Sequence, residues 1–193
     1  MVPAGTRVVV LDVLRDSDRP GPAELAKAFA RPGGVEAALG DGKAGRFFLE
    51  AYREFVTLPS ARQGFARLFA GLADDDARPA LFHCATGKDR TGWAAAALLL
   101  LIGVSEEQVM AEYLQSEVSL ERSRAAFLAE FRAQGGDPAL IMPLMVVREA
   151  YLESALDEMR TVYGTIERYF AEGLGIDAAT QRHLREALVE PAR

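Results

Sequence analysis

Hydrophobic residues recur every third or fourth position over most of this chain, and two short stretches break the period with continuous apolar runs. Arg7 to Leu11 (RVVVL) follows Gly5 and is rich in β-branched residues, and Pro79 to Cys84 (PALFHC) is the second run. Both have the length and composition of buried strands. A polar stretch from Arg15 to Gly21 ends the first, and a short helix is expected from Pro22, where AELAKAFA follows a proline suited to a first helical turn. Pro32-Gly33-Gly34 and Gly40-Asp41-Gly42 mark a flexible loop. From Ala44 the period is helical, with Phe48, Ala51, Tyr52, Phe55 and Val56 on one face until Leu58-Pro59 closes it. Ser60 with Gln63 has the form of a capping box, ahead of the stripe Phe65, Leu68, Phe69 and Leu72. After the second strand, Thr91 to Ile102 is an apolar central helix. Ser105 with Gln108 is another capping box, and Ser119 to Ala133 continues helical up to the break at Gly135-Gly136-Asp137-Pro138. A long helix is expected from Val147 to about Ala171, on Tyr151, Ala155, Met159, Val162, Ile166 and Phe170, and a last one from Asp177 to Val189.

These elements predict an α/β domain over residues 1–193: a central sheet flanked by helices, with a helix-rich C-terminal half. Two strands that are apolar on both faces do not make a stable sheet, so either further strands lie unrecognised in the chain or the chain lacks some. With 193 residues, 50% of them hydrophobic, the chain can bury a core, which excludes a disordered protein. A net charge of −6 argues against nucleic acid and anionic membranes as partners, and any anionic substrate needs a local positive site. The longest apolar run, Trp93 to Val104, falls short of the roughly 20 residues of a membrane-spanning helix. No leader pattern opens the chain, so a cytoplasmic location is expected, with export left open if an N-terminal segment is missing.

The chemistry gathers around the single cysteine, which has no intramolecular disulfide partner. His83-Cys84-Ala85-Thr86-Gly87-Lys88-Asp89-Arg90-Thr91-Gly92 lies between a strand and a helix, so backbone N–H groups and the positive helix end converge on one concavity. Such a cradle holds an anion and lowers the pKa of a cysteine at its base, giving a nucleophilic thiolate at neutral pH. Arg90 returns to the rim, where its planar fork can hold two phosphate oxygens. Gly87 admits a backbone conformation that a Cβ would hinder.

HCATGKDRTG resembles the signature loop of the cysteine-dependent protein tyrosine and dual-specificity phosphatases. Within that superfamily it is most similar to the bacterial tyrosine phosphatase family related to mycobacterial PtpB, which carries GKDRTG at the same place. EAYREF (Glu50 to Phe55), AEYLQS (Ala111 to Ser116) and the stretch Arg148 to Phe170 resemble further segments of that family in the same order. The resemblance implies that Cys84 is the nucleophile, forming a phosphocysteine intermediate, and that Arg90 clamps the phosphate. Asp89 would be the general acid, since the family keeps an Asp inside the loop and lacks a separate acid loop. Ala85, Thr86, Gly87, Lys88, Asp89 and Arg90 would form the phosphate-binding loop, with the Thr91 hydroxyl on the cysteine sulfur and His83 supporting the loop from behind. Lys88 matches a lysine of phosphatases that accept phosphoinositides, although a second basic loop residue of some lipid phosphatases is replaced by Ala85. The implied partner is a phosphotyrosine protein or a phosphoinositide, with no cofactor and no metal. Family members begin several tens of residues earlier, which implies that strands are missing at the N-terminal side, and Glu117 stands where relatives tend to have Asn.

Each role has a plainer alternative. Cys84 can be an inert core thiol, and Asp89 a structural acceptor with Asp16 or Asp18 as the acid. Lys88 can be a solvated loop charge, His83 purely structural, and His183 a surface or packing residue. Asp74-Asp75-Asp76 reads as a solvated turn, because three adjacent carboxylates point apart. The competing function is a catalytically weak, phosphate-binding pseudo-phosphatase. A nucleotide-binding P-loop fails on its spacing around Lys88, and sulfur transfer fits the Arg90-Thr91-Gly92 pattern less well. The apolar stripes between Ser119 and Phe170 predict helices that partly cover the pocket.

Overall fold

The structure, a computed structural model, describes residues 5–20, 22–31 and 33–189. Its helices are α1 (Pro22–Phe29), α2 (Gly34–Leu39), α3 (Lys43–Thr57), α4 (Pro59–Ala73), α5 (Asp89–Leu101), α6 (Glu106–Ala133), α7 (Pro138–Met145), α8 (Glu149–Tyr163), α9 (Ile166–Arg168) and α10 (Ala178–Leu188). A 3₁₀ turn covers Asp75–Ala77, and a π turn covers Tyr169–Gly173. Three expectations touch residues outside the described set: Pro32 of the predicted loop, Gly21 at the end of the polar stretch, and residues 1–4 at the chain start.

The expected α/β architecture is overturned. Among the described residues there is no strand, hence no central sheet, and the architecture is helical. Arg7–Leu11 and most of Pro79–Cys84 lack regular structure, with Val8 71%, Val10 83% and Leu81 90% exposed. Both runs have strand composition, but a strand also needs a neighbour to take its backbone hydrogen bonds, and neither run has one among the described residues.

Other boundaries moved for local reasons. The predicted flexible loop between Pro32 and Gly42 contains α2. Ser60 does not cap α4, which starts at Pro59. Its hydroxyl donates to the Val13 carbonyl and accepts from the Asp16 N–H, tying the early segment to α4. Ser105 does cap α6, accepting from the Gln108 N–H. The single helix expected from Val147 to Ala171 ends at Gly164, and the Thr165 hydroxyl accepts from Arg168 to start the next turn.

α5 is buried through Trp93, Ala94, Ala96, Ala97 and Leu101, and its small residues let neighbours approach closely. Gly92 is required here: a Cβ would stand 2.9 Å from the Tyr113 ring of α6. α3 lies along α8, with the Phe48 and Tyr151 rings stacked at 5.1 Å and the Ser154 hydroxyl donating to the Leu49 carbonyl. Tyr52, Phe55, Phe65, Phe69, Leu152, Tyr169 and Phe170 complete this main core. A second cluster of Leu39, Ala44 and Ile141, with Leu128 and Phe131 against it, joins α2 and α7 to the far half of α6. The signature loop leads into α5, and α7 lies across part of it.

Candidate active site

Cys84 ends the second extended segment, residues 85–88 bend, and α5 begins at Asp89. Gly87 sits at φ 72°, in the left-handed region that turns the loop back toward the helix. The Thr91 hydroxyl accepts the Cys84 N–H at 2.9 Å. Burial pushes the Cys84 thiol up. Hydrogen bonds from the Thr91 hydroxyl and from the backbone of Thr91 and Thr86, together with the Arg90 charge, outweigh it and bring the thiol down to about 7. The N–H groups and the cation that would receive a phosphate therefore also stabilise the thiolate.

Arg90 stands on the first turn of α5, and among the described residues its guanidinium enters no ion pair. Ala85 and Thr86 are exposed on the loop. His83 is exposed too, its Nδ1 lying 2.8 Å from the Cys84 carbonyl oxygen.

Lys88 is not a solvated charge. It is 3% exposed, and its Nζ donates to the carbonyls of Leu144 (2.8 Å) and Val146 (3.2 Å) at the end of α7. Nζ also lies 3.4 Å from Asp89 Oδ1 and 4.5 Å from the centre of the Phe48 ring. Two of the three ammonium protons are thereby held by backbone carbonyls. Burial lowers the Lys88 pKa against the opposing pull of Asp89. Sequence reasoning missed this because it weighed only substrate and solvent as partners for a loop lysine, whereas the acceptors are backbone carbonyls 56 and 58 residues away.

Asp89 is largely buried. Burial raises its pKa above the ordinary value, opposed by Lys88, by the Tyr52 hydrogen bond and by Arg90. The Tyr52 hydroxyl donates to Asp89 Oδ1 at 3.1 Å and lies 2.7 Å from the Tyr113 hydroxyl. Neither tyrosine stood out in the sequence as more than core, although each lies in a segment, EAYREF or AEYLQS, that carried the resemblance. Of the rival acids, Asp16 pairs with Arg15, its N–H held by Ser60 of α4, and Asp18 is exposed.

Beside the loop lies a cavity of about 170 Å³. Thr86, Lys88 and Asp89 form one wall, Leu120, Ser123 and Arg124 of α6 a second, and Leu144 and Met145 of α7 a third. α6 and α7 thus line this cavity opposite the loop. Glu117 ties them together, with one oxygen paired to Arg124 and the other accepting the Val147 N–H at 2.7 Å.

The acidic triplet forms a turn: Asp74 accepts from the Asp76 N–H, and Asp75 pairs with Arg78 and, at 3.1 Å, with His183. No group of three or more His, Cys, Asp or Glu side chains among the described residues could hold a metal ion. No helix among them is long and apolar enough to cross a membrane.

A sequence model described as the tyrosine phosphatase family matches residues 2–190. The chain belongs to that family. It is 35% identical over 137 residues to a protein named as a tyrosine-protein phosphatase in Cupriavidus necator, an alignment covering 70% of this chain and 48% of that one. It is 31% identical over 156 residues to the triple specificity protein phosphatase PtpB of Mycobacterium tuberculosis, covering 75% of this chain and 55% of that one. The chain spans about half the length of the curated relatives it matches.

Proposed function

We propose that this chain is a cysteine-dependent protein tyrosine phosphatase that hydrolyses phosphomonoesters through a phosphocysteine intermediate. The observation that carries the reading is the Cys84 thiol, brought to about 7 by Thr91, the loop N–H groups and Arg90 at the start of α5.

In the first step the Cys84 thiolate attacks phosphorus in line. The S–P bond forms as the P–O bond to the leaving group breaks, and Asp89 gives its proton to the departing oxygen. Arg90 and the N–H groups of residues 85–90 hold the equatorial oxygens, whose charge is greatest in the transition state. In the second step water attacks phosphorus, Asp89 takes back a proton, the S–P bond breaks and inorganic phosphate leaves, while the Thr91 hydroxyl stabilises the returning thiolate. Turnover thus needs Cys84 ionised and Asp89 protonated. Thr91, the loop N–H groups and Arg90 favour the first by bringing the thiol to about 7, and burial favours the second by raising the Asp89 pKa. The proposed substrates are phosphotyrosine proteins. Extension to phosphoserine, phosphothreonine or phosphoinositides is supported by the name of the mycobacterial relative, a triple specificity phosphatase.

One observation favours a second reading, phosphate binding with weak turnover. The segment that delivers Cys84 has no ladder partner among the described residues, so on that side little fixes the loop. Hydrolysis of para-nitrophenyl phosphate with a chelator present, by wild type and Cys84→Ser, separates the two. Turnover lost in Cys84→Ser supports the enzyme. Vanadate binding without cysteine-dependent turnover supports the binding module.

A further inference from the structure

The side chain that bonds Asp89 from outside the signature loop belongs to Tyr52 of α3. We infer that Tyr52 is the positioning residue for Asp89: its hydroxyl, braced by Tyr113, fixes Oδ1 so that Oδ2 is the oxygen that carries the proton to the leaving group. The inference rests on the phosphatase reading and adds to it two residues that do not touch substrate.

The geometry singles out one carboxyl oxygen. Tyr52 donates to Oδ1 at 3.1 Å, and Lys88 Nζ stands 3.4 Å from the same atom. None of the hydrogen bonds among the described residues goes to Oδ2. A protonated carboxyl keeps its hydrogen on one oxygen, and the Tyr52 donor on Oδ1 with the Lys88 charge beside it disfavours it there. Tyr52 has a single proton. With that proton on Asp89, the 2.7 Å contact to Tyr113 requires Tyr113 as donor, which gives the order Tyr113 to Tyr52 to Asp89 across α6, α3 and α5.

The donors are held still. Tyr52 and Tyr113 are 0% and 1% exposed, packed edge to face, with Phe55 and Tyr151 against Tyr52. Burial and the Asp89 charge push the Tyr52 phenol well above its ordinary value, so it remains a donor throughout the working range. The titratable and charged groups around Asp89 are Cys84, Lys88 and Arg90 from the loop and α5, Tyr52 from α3, Tyr113, Glu117 and Arg124 from α6, and Tyr151 from α8. Of these, Tyr52 and Lys88 contact its carboxyl. Removing the Tyr52 hydroxyl withdraws a bond from the charged form of Asp89, which raises its pKa and frees the carboxyl to turn.

The test compares a substrate with a poor leaving group, phenyl phosphate, against one with a good leaving group, para-nitrophenyl phosphate, which depends less on a general acid. In Tyr52→Phe the ratio of kcat/KM for phenyl phosphate to that for para-nitrophenyl phosphate falls about tenfold, the size expected for losing a hydrogen bond to a charged group. The limb of the phenyl phosphate pH profile that reports Asp89 moves to higher pH. Tyr113→Phe moves both readouts the same way by less and carries the test should Tyr52→Phe fail to fold. The double variant is no worse than Tyr52→Phe. Equal losses on both substrates with the Asp89 limb unmoved would overturn the inference, leaving Tyr52 as packing alone. Cys84→Ser, assayed alongside, abolishes hydrolysis of both esters; residual turnover there would overturn the phosphatase reading and this inference with it.

Discussion

Replacing Thr91 by valine isolates the contact that does most to ionise Cys84. The change keeps the shape of the side chain and removes the oxygen that accepts the Cys84 N–H at 2.9 Å and bonds the sulfur. The thiol stands at about 7 instead of the ordinary 9, so well below pH 7 the site holds roughly a hundredfold more thiolate than an unperturbed cysteine. That gain is shared among the Thr91 hydroxyl, the N–H groups of Thr91 and Thr86, and the Arg90 charge, with the hydroxyl first among them. Cys84 is about half buried, and water weakens each contribution. Thr91→Val is therefore expected to lower the thiolate population at pH 6 by about three- to tenfold and to move the midpoint of ionisation upward, short of its ordinary value. The assay is the rate of Cys84 alkylation by iodoacetamide as a function of pH, with Cys84→Ser as the blank. Thr91→Ser, which restores the oxygen, should recover the wild-type midpoint. A midpoint unchanged in Thr91→Val would refute the claim that this hydroxyl stabilises the thiolate, whatever happened to turnover. The acid limb of para-nitrophenyl phosphate hydrolysis should follow the alkylation midpoint.

Two further substitutions probe the rest of the loop. Arg90→Lys should reduce kcat/KM by about a hundredfold or more, because an ammonium cannot replace a bidentate fork over two phosphate oxygens; near-normal hydrolysis would contradict the clamp. Lys88→Met strips two carbonyls of a buried donor while also removing the cost of burying a charge, so a net loss of about 1–3 kcal/mol is expected in denaturant unfolding. Amides of residues 138–147 should then exchange hydrogen faster, and unchanged exchange would show that Lys88 does not hold α7.

Helices were legible in the sequence wherever a 3.6-residue period met a local signal. α6 starts at the predicted Ser105 cap, and α5 begins within two residues of the predicted boundary, since Trp93, Ala97 and Leu101 leave little doubt about a buried helix. The strands were misread because RVVVL and PALFHC state a propensity, while a strand is a pairing relation that no single run contains. α7 was missed because Pro138-Ala-Leu-Ile-Met-Pro-Leu-Met is apolar on all sides and too short to show a period. The same distinction runs through the site. Cys84, Arg90 and Thr91 were legible because the loop's chemistry is local: one turn of backbone places thiol, N–H groups and guanidinium together. Lys88, Tyr52, Tyr113 and Glu117 were not, since what each does is set by a partner 30 to 61 residues away. The loop around Cys84 is thus specified by a motif and its surroundings by packing. Substitutions within the loop should change chemistry with little loss of fold, whereas those at Lys88 or Glu117 should loosen α7 first and alter chemistry only through it.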